Sequence, residues 1–280
     1  MENKVRNNGR FFSKMITFLC LAVGSVVMLL PLYWMLSSSF KPQTELLRMP
    51  PTIWPEQFIF SNYLEVLQTM PFGRYYVNSL GLSLINTFVG LISSSLGGYM
   101  FAKYEFRFKE VLFWLMMACM MIPYETLLIP LYRIMVSLGW INSYMSLTIP
   151  YFVNIFGLFM MRQFMTNISN EFIEAAEIDG CGQYSTFFRI ILPMVRPALA
   201  TLSIFLFMGT YNSFLWPLIA INTRNYFTLP IGLAALSSDR GTQTNLIMAA
   251  SSLVVVPIVV LFAVIQNQIV SGLTAGGIKG

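Results

Sequence analysis

The sequence contains no histidine. That absence excludes histidine metal sites, Ser-His-Asp and Cys-His catalysis, and histidine-based pH switching. Cysteine is scarce too. Cys20, Cys119 and Cys181 lie far apart with no CxxC pair, so neither a disulfide framework nor a zinc site is expected. No Gly-x-x-x-x-Gly-Lys-[Ser/Thr] occurs, so the chain has no loop of that kind to cradle ATP phosphates. Charge is the third scarcity: 10% of the 280 residues are charged, against about 25% in a soluble domain. Within the apolar stretches ionisable groups are nearly missing. Glu125 falls near the end of one and Arg133 just beyond it, which argues against a buried carboxylate relay for protons or sodium.

What is present is apolar. At 56% hydrophobic the chain has more apolar surface than one globular core of this length can hide, and a bilayer is the simpler solvent. A bilayer core takes roughly 20 apolar residues of helix, and six windows qualify: 15–38, 79–102, 111–133, 143–163, 197–221 and 246–270. The first, Ile16 to Leu36, is too long for a signal-peptide core and lacks a small-residue cleavage site, so it reads as a retained helix. Prolines interrupt the others: Pro123 and Pro130 in the third, Pro150 in the fourth, Pro217 in the fifth and Pro257 in the sixth. Each removes a backbone donor and kinks or breaks a helix, as around transport pathways or as a packing device. A long Pro-rich connection, Lys41 to Asn78, follows the first window and is expected to lie on the membrane surface with a short helix at Ser61 to Thr69.

Lys and Arg set the expected orientation. With the N-terminus inside, the inner side carries Lys4, Arg6, Arg10, Lys14, Lys103, Arg107, Lys109, Arg162, Arg189, Arg196 and Lys279. The outer side carries Lys41, Arg48, Arg74, Arg133, Arg224 and Arg240, fewer and partly in one long loop. Both termini are therefore expected in the cytoplasm. The net charge of +5 comes from these flanking residues, so membrane lipid rather than nucleic acid is the expected neighbour.

One stretch breaks the apolar pattern. Residues 171–193 read EFIEAAEIDGCGQYSTFFRIILP, between the fourth and fifth windows on the expected inner face. Ser169 or Asn170 can cap a helix whose positive N-terminal end suits Glu171 and Glu174. Gly180 can take a left-handed conformation and end that helix. A second short helix is expected from Gln183 to Ile191, with Pro193 stopping it before the next span. Without further information this is a membrane-surface amphipathic connector.

The particular residues resemble the cytoplasmic loop of ABC importer permeases. There Glu-Ala-Ala is followed after three residues by Gly and after nine more by Ile-x-Leu-Pro. Here the pattern stands as Glu174-Ala175-Ala176, Gly180, and Ile190, Leu192 and Pro193. The tail Gly272 to Gly280, GLTAGGIKG, is similar to that of carbohydrate permeases of the maltose type, as is Asn212-x-x-x-Trp216-Pro217, with Tyr211 where Trp is more usual.

The resemblance implies an all-α transmembrane fold, the six-helix second permease subunit with a cytoplasmic coupling helix. Its organisation would be 1–78 (N-terminal segment, first helix and outer loop), 79–271 (permease core with coupling loop 166–193) and 272–280 (tail). It further implies that Glu174 and Asp179 contact a separate ATPase subunit, that Ala175 and Ala176 allow close approach, that Gly180 sets the turn, and that Thr274, Gly276 and Lys279 extend toward the ATPases. The implied partners are a homologous permease forming a heterodimer, two ATPase subunits holding ATP and Mg, and an external sugar-binding protein, in the cytoplasmic membrane of a bacterium. No cofactor and no metal is expected on this chain. The implied activity is alternating-access import of a carbohydrate, an oligosaccharide, with no enzymatic step of its own.

A sugar pathway needs neutral hydrogen-bonding groups and aromatic faces, and Asn154, Tyr211, Asn212, Ser213 and Trp216 suit it. Interhelical hydrogen bonding is the alternative role for the asparagines, Asn86 above all. Import of a non-sugar solute, or ion-coupled secondary transport, stay open as rival functions.

Overall fold

The computed structural model describes residues 2–239 and 243–275, and all regular structure among them is helical. The helices are α1 (Glu2–Ser39), α2 (Gln43–Leu46), α3 (Ser61–Thr69), α4 (Phe72–Lys103), α5 (Lys109–Cys119), α6 (Tyr124–Ser137), α7 (Tyr144–Thr148), α8 (Ile155–Thr166), α9 (Glu171–Ile178), α10 (Gln183–Thr186), α11 (Leu192–Met194), α12 (Arg196–Tyr211), α13 (Leu215–Ala220), α14 (Leu229–Asp239) and α15 (Thr244–Ala275). Short 3₁₀ turns at Ile149–Tyr151 and Arg224–Tyr226 and a π turn at Phe187–Ile191 complete them. Four segments are long and apolar enough to cross a bilayer, Lys14–Ser39, Phe72–Lys103, Tyr144–Thr166 and Thr244–Ala263. There are six if each of two bent helix pairs counts as one span.

Proline explains where the windows break. The third window is two helices, α5 and α6, meeting at 100°. Pro123 pushes its predecessor out of the helical region, so α5 stops at Cys119 and α6 starts afresh at Tyr124. In the fourth, Pro150 sits in the first turn of the 3₁₀ segment, and residues 152–154 are non-helical before α8 begins. In the fifth, α12 ends at Tyr211 and α13 restarts at Leu215, which places Pro217 in a first turn where its missing N–H is no loss. The second arm runs from Gln183 past its expected end at Ile191 to Met194, and it stops beside Pro193 before the next span, with the break at Val195 (φ −101°, ψ 19°), where the path turns by 83° into α12.

The chain forms two compact units. One joins α1, α2 and α3 with Leu233–Val256. In it the Pro-rich connection is tied by polar contacts. Asn62, 4% exposed, donates to the carbonyls of Ser39 (2.8 Å) and Lys41 (3.0 Å) and accepts from Asn245 Nδ2 (2.9 Å). Tyr63 Oη meets Ser39 Oγ at 2.7 Å and Ser252 Oγ at 3.0 Å. Helix α3 spans the residues the sequence predicts for it.

The other unit, from Phe72 to Gly232 with the part of α15 beyond Val256, is organised on α4. Helix α4 packs along α8 and α12 through small residues. A Cβ added at Gly98 would lie 2.6 Å from Met161 Cβ, and one at Gly157 would overlap Ser94 Oγ. Helices come this close in membranes through such residues, because dispersion contact replaces a hydrophobic drive that lipid cannot supply. Its core gathers Tyr99, Met161, Met165, Phe187, Ile191, Val195, Ala198 and Leu202.

Candidate functional site

The connector between α8 and α12 has the helix–glycine–helix form the sequence predicts. Ser169 Oγ accepts from the Glu171 amide at 3.3 Å, and the Asn170 carbonyl accepts from the Ile173 and Glu174 amides at 2.8 and 3.0 Å. Helix α9 closes in a two-bond left-handed cap. Cys181 N–H donates to the Ala176 carbonyl (2.8 Å) and Gly180 N–H to that of Glu177 (3.0 Å), with Gly180 at φ +78°. Glycine takes that conformation without strain, and most side chains, β-branched ones above all, do not. No atom lies within 4 Å of where a Gly180 side chain would begin, so the requirement there is conformational, not steric.

This elbow presents one face outward and one inward. Glu174, Ala175, Asp179 and Gly180 are exposed, as are Phe172, Ile178 (87%) and Tyr184 (79%). Glu171, Glu174, Glu177 and Asp179 enter no salt bridge among the described residues. Ala176, in contrast, is buried at 3% exposure, while Ile190 and Leu192 pack on the core of Tyr99, Met161, Phe187 and Val195 and Pro193 is half-buried. Of the two alanines, Ala176 serves the inner face and Ala175 the outer.

One basic side chain fastens the elbow to the spans, and a second ties the spans to one another beside it. Lys103, at the end of α4, donates to the Ile168 carbonyl and, at 2.9 Å, to Asn170 Oδ1. Arg162 of α8 pairs with Glu110 at 3.2 Å, donates to the Phe101 carbonyl at 3.3 Å and lies 3.8 Å over the Phe113 ring. The sequence reading missed both roles. A lysine and an arginine at the ends of apolar spans signal orientation, and nothing in them names their partners.

A cavity of about 300 Å³ opens where the helical runs break, lined by Asn86, Tyr151, Asn154, Phe205, Gly209 and Thr210 among others. Asn154 caps α8, its Oδ1 accepting from Gly157 N–H at 2.6 Å. Asn86 Nδ2 donates to the Leu147 carbonyl at 3.0 Å, while its Oδ1 is sealed from solvent and has no hydrogen-bond partner among the described residues. Tyr151 Oη meets Ser213 Oγ at 2.9 Å.

Of the residues expected on a pathway, the structure brings Asn154 to this cavity and Ser213 to its Tyr151 wall. Tyr211 is 1% exposed and stacks on Phe207, ring centroids 5.7 Å apart. Asn212 is exposed at the end of α12. Trp216, 0% exposed, donates from Nε1 to the Ser146 carbonyl at 2.7 Å in a separate core with Leu82, Met135 and Leu147. Thr274 belongs to α15, and Gly276 and Lys279 lie outside the described residues. Among the described residues no three His, Cys, Asp or Glu side chains group to hold a metal ion.

Comparison with known proteins places this architecture. Residues 94–274, which include the elbow and all of the cavity lining named here except Asn86, match the family described as "Binding-protein-dependent transport system inner membrane component". The chain is 36% identical over 253 residues to the arabinooligosaccharides transport system permease protein AraQ of Halalkalibacterium halodurans, covering 89% of this chain and 91% of that protein. It is 31% identical over 285 residues to the galactooligosaccharides transport system permease protein GanQ of Bacillus subtilis, covering 100% and 99%. In fold it superposes with TM-score 0.83 on a chain of a bacterial ABC transporter involved in the import of the acidic polysaccharide alginate, at 21% identity, covering 92% of this chain and 96% of that one. The chain belongs to the family of inner membrane components of binding-protein-dependent transport systems, a transmembrane permease of the ABC importer type.

Proposed function

We propose that this permease is one of two homologous transmembrane subunits of an ATP-driven importer that carries an oligosaccharide inward by alternating access. The relatives named for arabino- and galactooligosaccharide transport support the choice of solute. The observation that carries the mechanism is the elbow. It has an exposed face whose carboxylates at Glu174 and Asp179 enter no salt bridge among the described residues, a strain-free turn at Gly180, and a back set into the span core through Ile190 and Leu192.

Such a part transmits force. ATP and Mg are held by two separate ATPase subunits, whose closure moves the elbow. The turn and the buried back then pass that displacement to α12 and α4, switching access to the pathway. Glu174 and Asp179 are the polar contacts to the ATPase, Ala175 lets its surface approach closely, and Pro193 starts the arm that leads to Val195. The tail at Thr274, Gly276 and Lys279 reaches toward the same subunits. The elbow and both termini are cytoplasmic, and an external sugar-binding protein delivers solute to the opposite side. Asn154 and Ser213 line the path in this chain, with Asn212 and the buried Tyr211 and Trp216 shaping its end.

Co-expression with a second permease, the ATPase and the binding protein, followed by reconstitution in vesicles, tests this reading. Uptake of a labelled oligosaccharide is expected only with ATP inside and binding protein outside, and it should survive an uncoupler. Uptake driven by an ion gradient without ATP would overturn it.

A further inference from the structure

Resting on the carbohydrate reading above, we infer that the cavity between α4, α8 and α12 is a subsite for one neutral sugar ring, placed in this subunit and selective against uronates. Its walls carry no Lys, Arg, Asp or Glu among Asn86, Tyr151, Asn154, Phe156, Phe205, Leu206, Gly209 and Thr210. Its size, about 300 Å³, suits a single ring rather than a long chain.

The two carboxamides are fixed by the fold. Asn86 spends its NH₂ on the Leu147 carbonyl, and its Oδ1 is sealed from the cavity, so it serves as a closed wall. Asn154, half-buried, spends its Oδ1 on the Gly157 amide, which leaves its NH₂ as a donor. A sugar hydroxyl can accept from that NH₂ and stay neutral as it leaves water. A carboxylate would find no cation in the lining to offset its desolvation. Phe156 and Phe205 meet edge to face, centroids 5.8 Å apart, and remain 40% and 56% exposed, offering an apolar flank to the C–H face of a ring.

The assembled importer in vesicles tests the subsite with arabinotriose, galactotriose and maltotriose as probes, reading sugar moved per ATP hydrolysed. For whichever trisaccharide the unaltered complex carries, Phe205→Leu and Asn154→Ser are each expected to lower that ratio about fivefold, the weight of one neutral contact. Asn154→Ser keeps a cap oxygen for α8, and Phe205→Tyr, which keeps the ring face, should restore the ratio. Ratios within twofold of the unaltered complex for both variants would overturn the subsite while leaving the oligosaccharide reading standing. Transport of none of the three by the unaltered complex would instead overturn that reading, and the subsite with it. For selectivity, equilibrium binding of the labelled trisaccharide to the complex without binding protein should resist trigalacturonate. Displacement by trigalacturonate at equal concentration would overturn the preference for neutral rings.

Discussion

Gly98 on α4 faces Met161 on α8 with no room between them: a Cβ there would sit 2.6 Å from Met161 Cβ and 2.8 Å from the Arg162 amide nitrogen. The obstacle includes backbone, which cannot rotate away. Gly98→Ala is therefore expected to wedge the helices apart at a cost of about 1–3 kcal/mol. The purified protein should melt earlier, whereas Gly24→Ala, with nothing within 4 Å of its new methyl, should not lower the melting temperature.

At Gly180 the prediction separates conformation from packing. The left-handed backbone strains a β-branched residue, while the space around it is open. Gly180→Val should cost roughly 1–2 kcal/mol locally and lower uptake more than ATP hydrolysis, a loss of coupling. Gly180→Asn, which tolerates that region, should retain most uptake. Equal behaviour of the two variants would remove the conformational argument.

Glu174 is exposed and unpaired among the described residues, so Glu174→Lys should change stability by no more than about 0.5 kcal/mol. Its effect is expected in assembly, with less ATPase subunit retained on affinity purification in moderate salt. Retention at the unaltered level would exclude Glu174 from the contact.

Lys103 holds the start of the elbow through the Ile168 carbonyl and Asn170. Lys103→Met keeps the apolar stem and deletes the charged donor, a bond of about 1.5 kcal/mol or more. Amide hydrogen exchange should quicken roughly tenfold across residues 168–178, while the Tyr124–Ser137 amides of α6 exchange as before.

Much of this was legible before any coordinates. The Ser61–Thr69 helix and the Gly180 turn are local events, written in caps, glycine and apolar spacing. The prolines announced that spans would break. They could not say by how much, since the 100° angle between α5 and α6 depends on what each helix packs against. Pro193 marked the stop but not its exact residue: the helical run from Gln183 reaches Met194 before it breaks at Val195. The Lys103–Ile168 tie joins residues 65 apart, and one sequence carries no record of such a pairing. Trp216 and Asn154 both looked fit to touch solute. Which side of a helix meets a cavity is settled by neighbours, and those put the indole in the core and the carboxamide on the wall.

The 83° turn at Val195 is filled rather than hollow. Phe187 and Ile191 before it, Val195 within it, and Ala198 and Leu202 beyond it all sink into one packed mass with Tyr99 and Met161. A corner braced on its inside cannot flex like a hinge. In the coupling proposed above it would serve as a crank, so that a push on the outer arm would arrive at α12 as torque, with little of the stroke absorbed on the way.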